Sequence, residues 1–167
     1  MRYLTFPMRE ALQAESTDKV AVLLATITHP DLAEPIRVSS HGLVTLSADP
    51  FALGVRSRGA DYLHLVKSYA LPDDPETGAP SGQIVLADIN GKLARGALPL
   101  IAYPTIDFEI VLASTPDLVE DAFTDDIEVA SATWENGALT LELQAIDYDE
   151  PVPAYRISRR YAPGLHK

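Results

Sequence analysis

From Lys19 onward the chain alternates short runs rich in Val, Ile, Leu, Thr and Tyr with clusters of Pro, Gly, Asp and Ser. That texture is the pattern of short strands joined by turns. It predicts strands over 19–28, 36–40, 44–46, 62–71, 83–89, 105–114, 127–134 and 138–146. One earlier stretch has a different period. In TFPMREALQAES, Thr5 can cap, Pro7 suits a first helical turn, and Met8, Ala11 and Leu12 recur on one side at helical spacing. A short helix over 7–15 follows, its apolar stripe expected to lie on a sheet.

Two hairpins stand out. In EVASATWENGALTLELQAI, Asn136-Gly137 is the dipeptide a type I′ turn needs, because both central residues must take positive φ. Leu139, Leu141 and Leu143 then share a core face, and Thr140, Glu142 and Gln144 the opposite one. In LLATITHPDLAEPIRVSSHG, Pro30 can donate no ladder hydrogen bond and Pro35 biases Glu34 toward extended backbone. The chain turns between these fixed points and re-enters as Ile36–Arg37–Val38, a hairpin with a rigid tip.

Residues 71–83, with three prolines and three acids, read as an exposed loop, and 90–104 as a helical turn cut short by Gly96 and Pro99. Neither is a domain boundary, so 167 residues form one domain, with 150–167 as a C-terminal arm. A formal charge of −11 opposes broad contact with a phosphate backbone. The absence of cysteine excludes thiolate metal sites, iron–sulfur clusters and a cysteine nucleophile. No secretory-type core opens the chain and no apolar run approaches the roughly 20 residues that span a bilayer. A soluble protein made in the cytoplasm, without membrane insertion, is expected.

The search for chemistry is mainly negative. The sequence has no phosphate-cradling glycine loop, no G-x-S-x-G elbow and no H-E-x-x-H. His29, His41, His64 and His166 are scattered and read as turn or surface histidines. The acids at Asp73-Asp74-x-Glu76, Asp125-Asp126-x-Glu128 and Asp147-Tyr148-Asp149-Glu150 lack the calcium-loop spacing and read as solvated turn carboxylates. Trp134, at a strand end, reads as core packing. No enzyme activity, metal or cofactor is expected.

The ending EPVPAYRISRRYAPGLHK is the most basic stretch of an acidic chain, with tyrosines interleaved. Its prolines keep it out of a central strand, and its aromatic and arginine side chains are the usual anchors of interfaces. Tyr155, Arg156, Ile157, Arg159, Arg160, Tyr161 and Leu165 are therefore the candidate inter-subunit residues.

The segments ATITHPDLAEPIRV, YLHLVKSYALPDD, IVLADINGKLAR, FEIVLASTPDLVE and the closing DEPVPAYRISRRYAPGLHK, in this order, resemble a family of minor or distal tail proteins of long-tailed phages. The likeness runs over nearly the whole chain. Two places depart from that family's pattern: Gly91, Gly96 and Pro99 shorten a helix, and Ala162 replaces an aromatic before Pro163-Gly164. The alternation alone implies a mostly β, antiparallel sandwich or barrel with one short N-terminal helix. The resemblance implies a barrel of phage tail-tube type and a structural role in the virion, assembled in the host cytoplasm. It implies a hexameric ring of identical subunits joining the tail tube protein to a tail-tip hub protein, with DNA only passing through the lumen. A small carbohydrate- or ligand-binding β-module is the alternative, for which Trp134, Tyr103 and Tyr148 would form a platform; a hydrolase using paired carboxylates is a third.

Overall fold

The computed structural model describes residues 4–15, 17–71, 81–88, 91, 93, 95, 104–123 and 127–145. Its elements are α1 (Phe6–Gln13), β1 (Ala21–Thr28), β2 (Ile36–Ser39), β3 (Val44–Ala48), β4 (Phe51–Ser57), β5 (Ala60–His64), β6 (Val66–Ala70), β7 (Ser81–Ala87), β8 (Thr105–Leu112), β9 (Thr115–Phe123), β10 (Ile127–Glu135) and β11 (Ala138–Ala145). The strands join one curled, half-barrel sheet in the order β3-β4-β5-β2-β1-β8-β10-β11-β7-β6, with β9 also on β8. Every pairing is antiparallel except β2 with β5, so the expected purely antiparallel sheet carries one parallel pair.

Two strands fork, and the forks create two cores. β8 pairs with β1 along its whole length. On its other side it meets β10 only at Thr105↔Glu128, then turns to pair with β9 from Phe108 to Leu112. The second fork lies at Leu65, the single residue between β5 and β6. β5 pairs with β4 and β2, whereas β6 pairs with β7, and the Leu65 carbonyl accepts the Ala87 N–H at 2.6 Å. The sheet from β2 through β7 must therefore curl until it returns to the strand it started beside. Inside the curl lies the larger core, with Leu23, Ala25, Ile27, Val38, Ile84, Leu86, Ile106, Phe108, Val129, Leu139, Leu141 and Leu143. On the other face of β1, Val22, Leu24, Val55, Tyr62 and Val111 form the smaller one.

α1 is held by its first turn. The Thr5 hydroxyl accepts the Met8 N–H at 3.5 Å as an N-cap. The buried Glu120 carboxylate of β9 accepts both the Thr5 N–H at 3.0 Å and the Thr5 hydroxyl at 2.7 Å. A carboxylate at a helix N-terminus is stabilised by the helix dipole as well as by these bonds. Met8 is buried as expected, but Leu12 is 64% exposed. The expected stripe thus reaches the sheet at one end only, because the anchor is the polar cap and not the last turn.

Both hairpins form. β1 and β2 pair from Leu24↔Ser39 to Ile27↔Ile36. Asn136 and Gly137 take φ of 51° and 74°, and Leu139, Leu141 and Leu143 are buried. Three expectations need correction. The run 62–71 is not one strand but two, broken at Leu65 by the fork. β4 and β9 were not expected. β9 (TPDLVEDAF) carries Pro116, Asp117 and Asp121, poor strand formers that tertiary pairing with β8 overrides.

Where β4 crosses β5, Gly54 leaves no room for a side chain. A Cβ there would fall inside contact distance of the Tyr62 carbonyl oxygen and of Leu46 Cδ1. At Gly59, φ is +78° but the space is open. We expect Gly54→Ala to cost about 1–3 kcal/mol or more in urea unfolding, because the obstruction is backbone. It should exceed Gly59→Ala, which incurs only the left-handed strain of about 1–2 kcal/mol; the opposite order would show that β4 and β5 are not in close register at Gly54.

Candidate functional site

Much of what the sequence singled out lies outside the described residues: Tyr155, Arg156, Ile157, Arg159, Arg160, Tyr161 and Leu165, the acids of 73–76, 125–126 and 147–150, His166, Tyr103 and Tyr148. Among the described residues no group of three His, Asp or Glu side chains is placed to hold a metal. Three histidines can be located. His41 is exposed and shares a 3.0 Å hydrogen bond with the Ser40 hydroxyl; His64 is exposed, 3.4 Å from the Ser39 carbonyl.

His29 is a turn residue, as expected, but it points inward. Its Nδ1 accepts the Asp31 N–H at 3.0 Å, and its carbonyl accepts the Leu32 N–H at 3.0 Å. These bonds fix the hairpin tip. Because Nδ1 is an acceptor, the neutral ring carries its proton on Nε2, and that buried atom has no hydrogen-bond partner among the described residues. An unpaired buried donor costs about 1–3 kcal/mol.

Beside this tip the half-barrel opens into a groove of about 1020 Å³. Glu34, Pro35, Ile36 and Arg37 line it on one side and Ala87, Asp88 and Leu93 on another, with Phe51, Asp61, Leu63 and Leu65 between them. Ile36, Leu65 and Leu93 also pack on the larger core, so the groove is the open end of the barrel. Barrel mouths are frequent ligand sites. This one combines apolar side chains with the charged groups of Glu34, Arg37, Asp61 and Asp88.

Asp88 organises the side it shares with Ala87 and Leu93. Its side chain accepts the Leu93 N–H at 3.1 Å, starting the expected helical turn, and its carbonyl accepts the Gly91 N–H at 3.0 Å and the Trp134 indole N–H at 3.1 Å. Trp134 is 44% exposed. The expectation of core packing is therefore corrected: the indole is partly exposed, its polar edge tied to the Asp88 backbone.

A second, smaller basin of about 370 Å³ lies on the outer face, lined by Thr26, Arg37, Ser57, Arg58, Tyr62, Asp107 and Glu109. The β4–β5 turn closes it. Arg58 and Gly59 take φ of 49° and 78°, a type I′ pair in which arginine is sterically unfavourable. Three contacts hold it there. The Arg58 N–H donates to Asp117 Oδ1 at 2.5 Å, the Ser57 hydroxyl donates to the Pro116 carbonyl at 2.7 Å, and the Arg58 guanidinium pairs with both oxygens of Glu109, one at 2.9 Å. The Glu109 hydrogen bonds hold Arg58 above its ordinary pKa, opposed by burial. The sequence did not announce this latch, since arginine is no turn signal; the Gly59 between two β-rich runs is the only local trace.

Two measurements follow from these pairs. In a double-mutant cycle, Arg58→Gly relieves the backbone but strands Glu109, so each single change should destabilise and Arg58→Gly with Glu109→Gln should recover about 1–3 kcal/mol of coupling; additivity would remove the latch. Arg56, by hydrogen bonding first and by charge second, holds the exposed Asp61 carboxyl below its ordinary range. That stabilisation is present above the unfolded carboxyl value of about 3.9 and is lost as pH falls through the lower folded value. An NMR titration of Asp61 should move up toward the ordinary value in Arg56→Ala or in high salt.

No protein-family model matches the chain, and no curated protein matches it.

Proposed function

We propose that the chain is a structural virion protein at the distal end of a phage tail, a subunit of a homo-oligomeric ring that joins the tail tube to the tail-tip hub. The observation that supports this reading is the open half-barrel, in which β3 ends the strand order on one side and β6 on the other, neither paired on its outer edge among the described residues. Unpaired edges are a hazard for an isolated subunit and a means of closure for a ring, because each copy can cover its neighbour's. A barrel of tail-tube type is the finer fold that fits this use. The C-terminal arm, with Tyr155, Arg156, Ile157, Arg159, Arg160, Tyr161 and Leu165, would meet the acidic surface that identical neighbours present. A lumen of acidic or neutral character suits DNA that must slide past without being held.

The barrel-mouth groove favours a second reading, a small ligand- or carbohydrate-binding module, with Trp134 bonded to the carbonyl of Asp88, one of its lining residues. The two readings separate on the particle. Immunogold labelling of purified phage with antibody against this chain should mark the distal tail tip. Virions that contain none of the chain would overturn the structural role.

A further inference from the structure

The exposed apolar surface concentrates where the sheet ends in the β3–β4 hairpin. Leu43, Val44, Phe51, Leu53 and Leu63 are between 38% and 69% exposed, and β3 buries no residue. The register puts Val44 and Leu63 on the Gly54 face. Phe51 and Leu53 alternate to the other face, with Val55. A hairpin that is apolar on both faces marks a surface used in contact.

Among the described residues its outer edge is also unpaired and unguarded. Edge strands of stable monomers usually carry charges or proline, and β3, Val-Thr-Leu-Ser-Ala, has neither; its one irregularity is a bulge between Thr45 and Ser47. Charge indicates what covers it. In a chain of net charge −11, Asp49 at the hairpin tip is the only charged side chain from Val38 to Val55. Identical acidic copies repel wherever their carboxylates face each other, and here they can approach without doing so.

We propose that the β3–β4 hairpin is buried against a second copy of this chain. The inference rests on the ring reading above and names the surface that the ring uses. The apolar side chains supply the contact, and a hairpin that carries a single carboxylate, Asp49, permits it.

Light scattering of the full chain across concentration, at low salt and in about 1 M NaCl, tests this, since salt screens the repulsion between acidic copies while leaving apolar contact intact. Mass should rise with concentration, and rise further in salt. The doubly substituted Phe51→Ser, Leu53→Ser chain, with an unchanged circular dichroism spectrum, should associate at least about tenfold more weakly. If that chain loses its spectrum, Phe51→Ser alone makes the same comparison at a position that is 69% exposed. Equal association of wild type and variant would reject the hairpin while leaving the ring reading intact. A wild type that is monomeric at every concentration and salt would also reject it, with the ring reading judged separately by tip labelling. Flotation of the wild type, but not the variant, with neutral phosphatidylcholine vesicles would assign the patch to a lipid surface and overturn the proposal.

Discussion

Burial of β1 on both faces is the constraint on which the rest depends. Val22, Leu23, Leu24 and Ala25 are each no more than 1% exposed, so the strand needs an apolar neighbour above and below. One sheet curled in a single direction could cover only one face. The forks at β8 and at Leu65 solve this by sending β10, β11, β7 and β6 to one side and β9 and β4 to the other. Removing a buried leucine from this strand would cost about 2–5 kcal/mol, a large part of the stability of an ordinary domain.

The polar interactions then finish what apolar burial begins. The smaller core is closed by a strained turn whose backbone N–H, neighbouring hydroxyl and guanidinium all find acceptors on β8 and β9. Strain of that kind persists only when its surroundings over-determine it. Glu120 acts similarly for α1, which packs little apolar area and is held mainly by its cap. His29 differs, a buried donor without a partner among the described residues, while its Nδ1 and its carbonyl hold the hairpin tip.

The sequence made some of this legible and hid the rest for identifiable reasons. Asn136-Gly137 and the alternation of Leu139, Leu141 and Leu143 specify register locally, and both were readable. The proline-bounded tip of the first hairpin was readable for the same reason. The run from Tyr62 to Leu71 looks uniform, and only long-range pairing divides it at Leu65. β9 is built from poor strand formers that β8 recruits. The barrel-mouth groove draws on residues separated by up to 59 positions, Glu34 to Leu93, and no local pattern joins them. The basic C-terminal candidates lie outside the described residues, and composition marks the β3–β4 hairpin only as a short strand.

The single residue between β5 and β6 has a consequence for how the molecule comes apart. Because one continuous stretch of chain supplies a strand to each core, neither core can open without dragging on the backbone of the other, and β1 couples them a second time. Partial unfolding intermediates, common where sub-structures are joined by slack connections, have little room here. Opening one core would expose the other, and the domain would come apart as one unit.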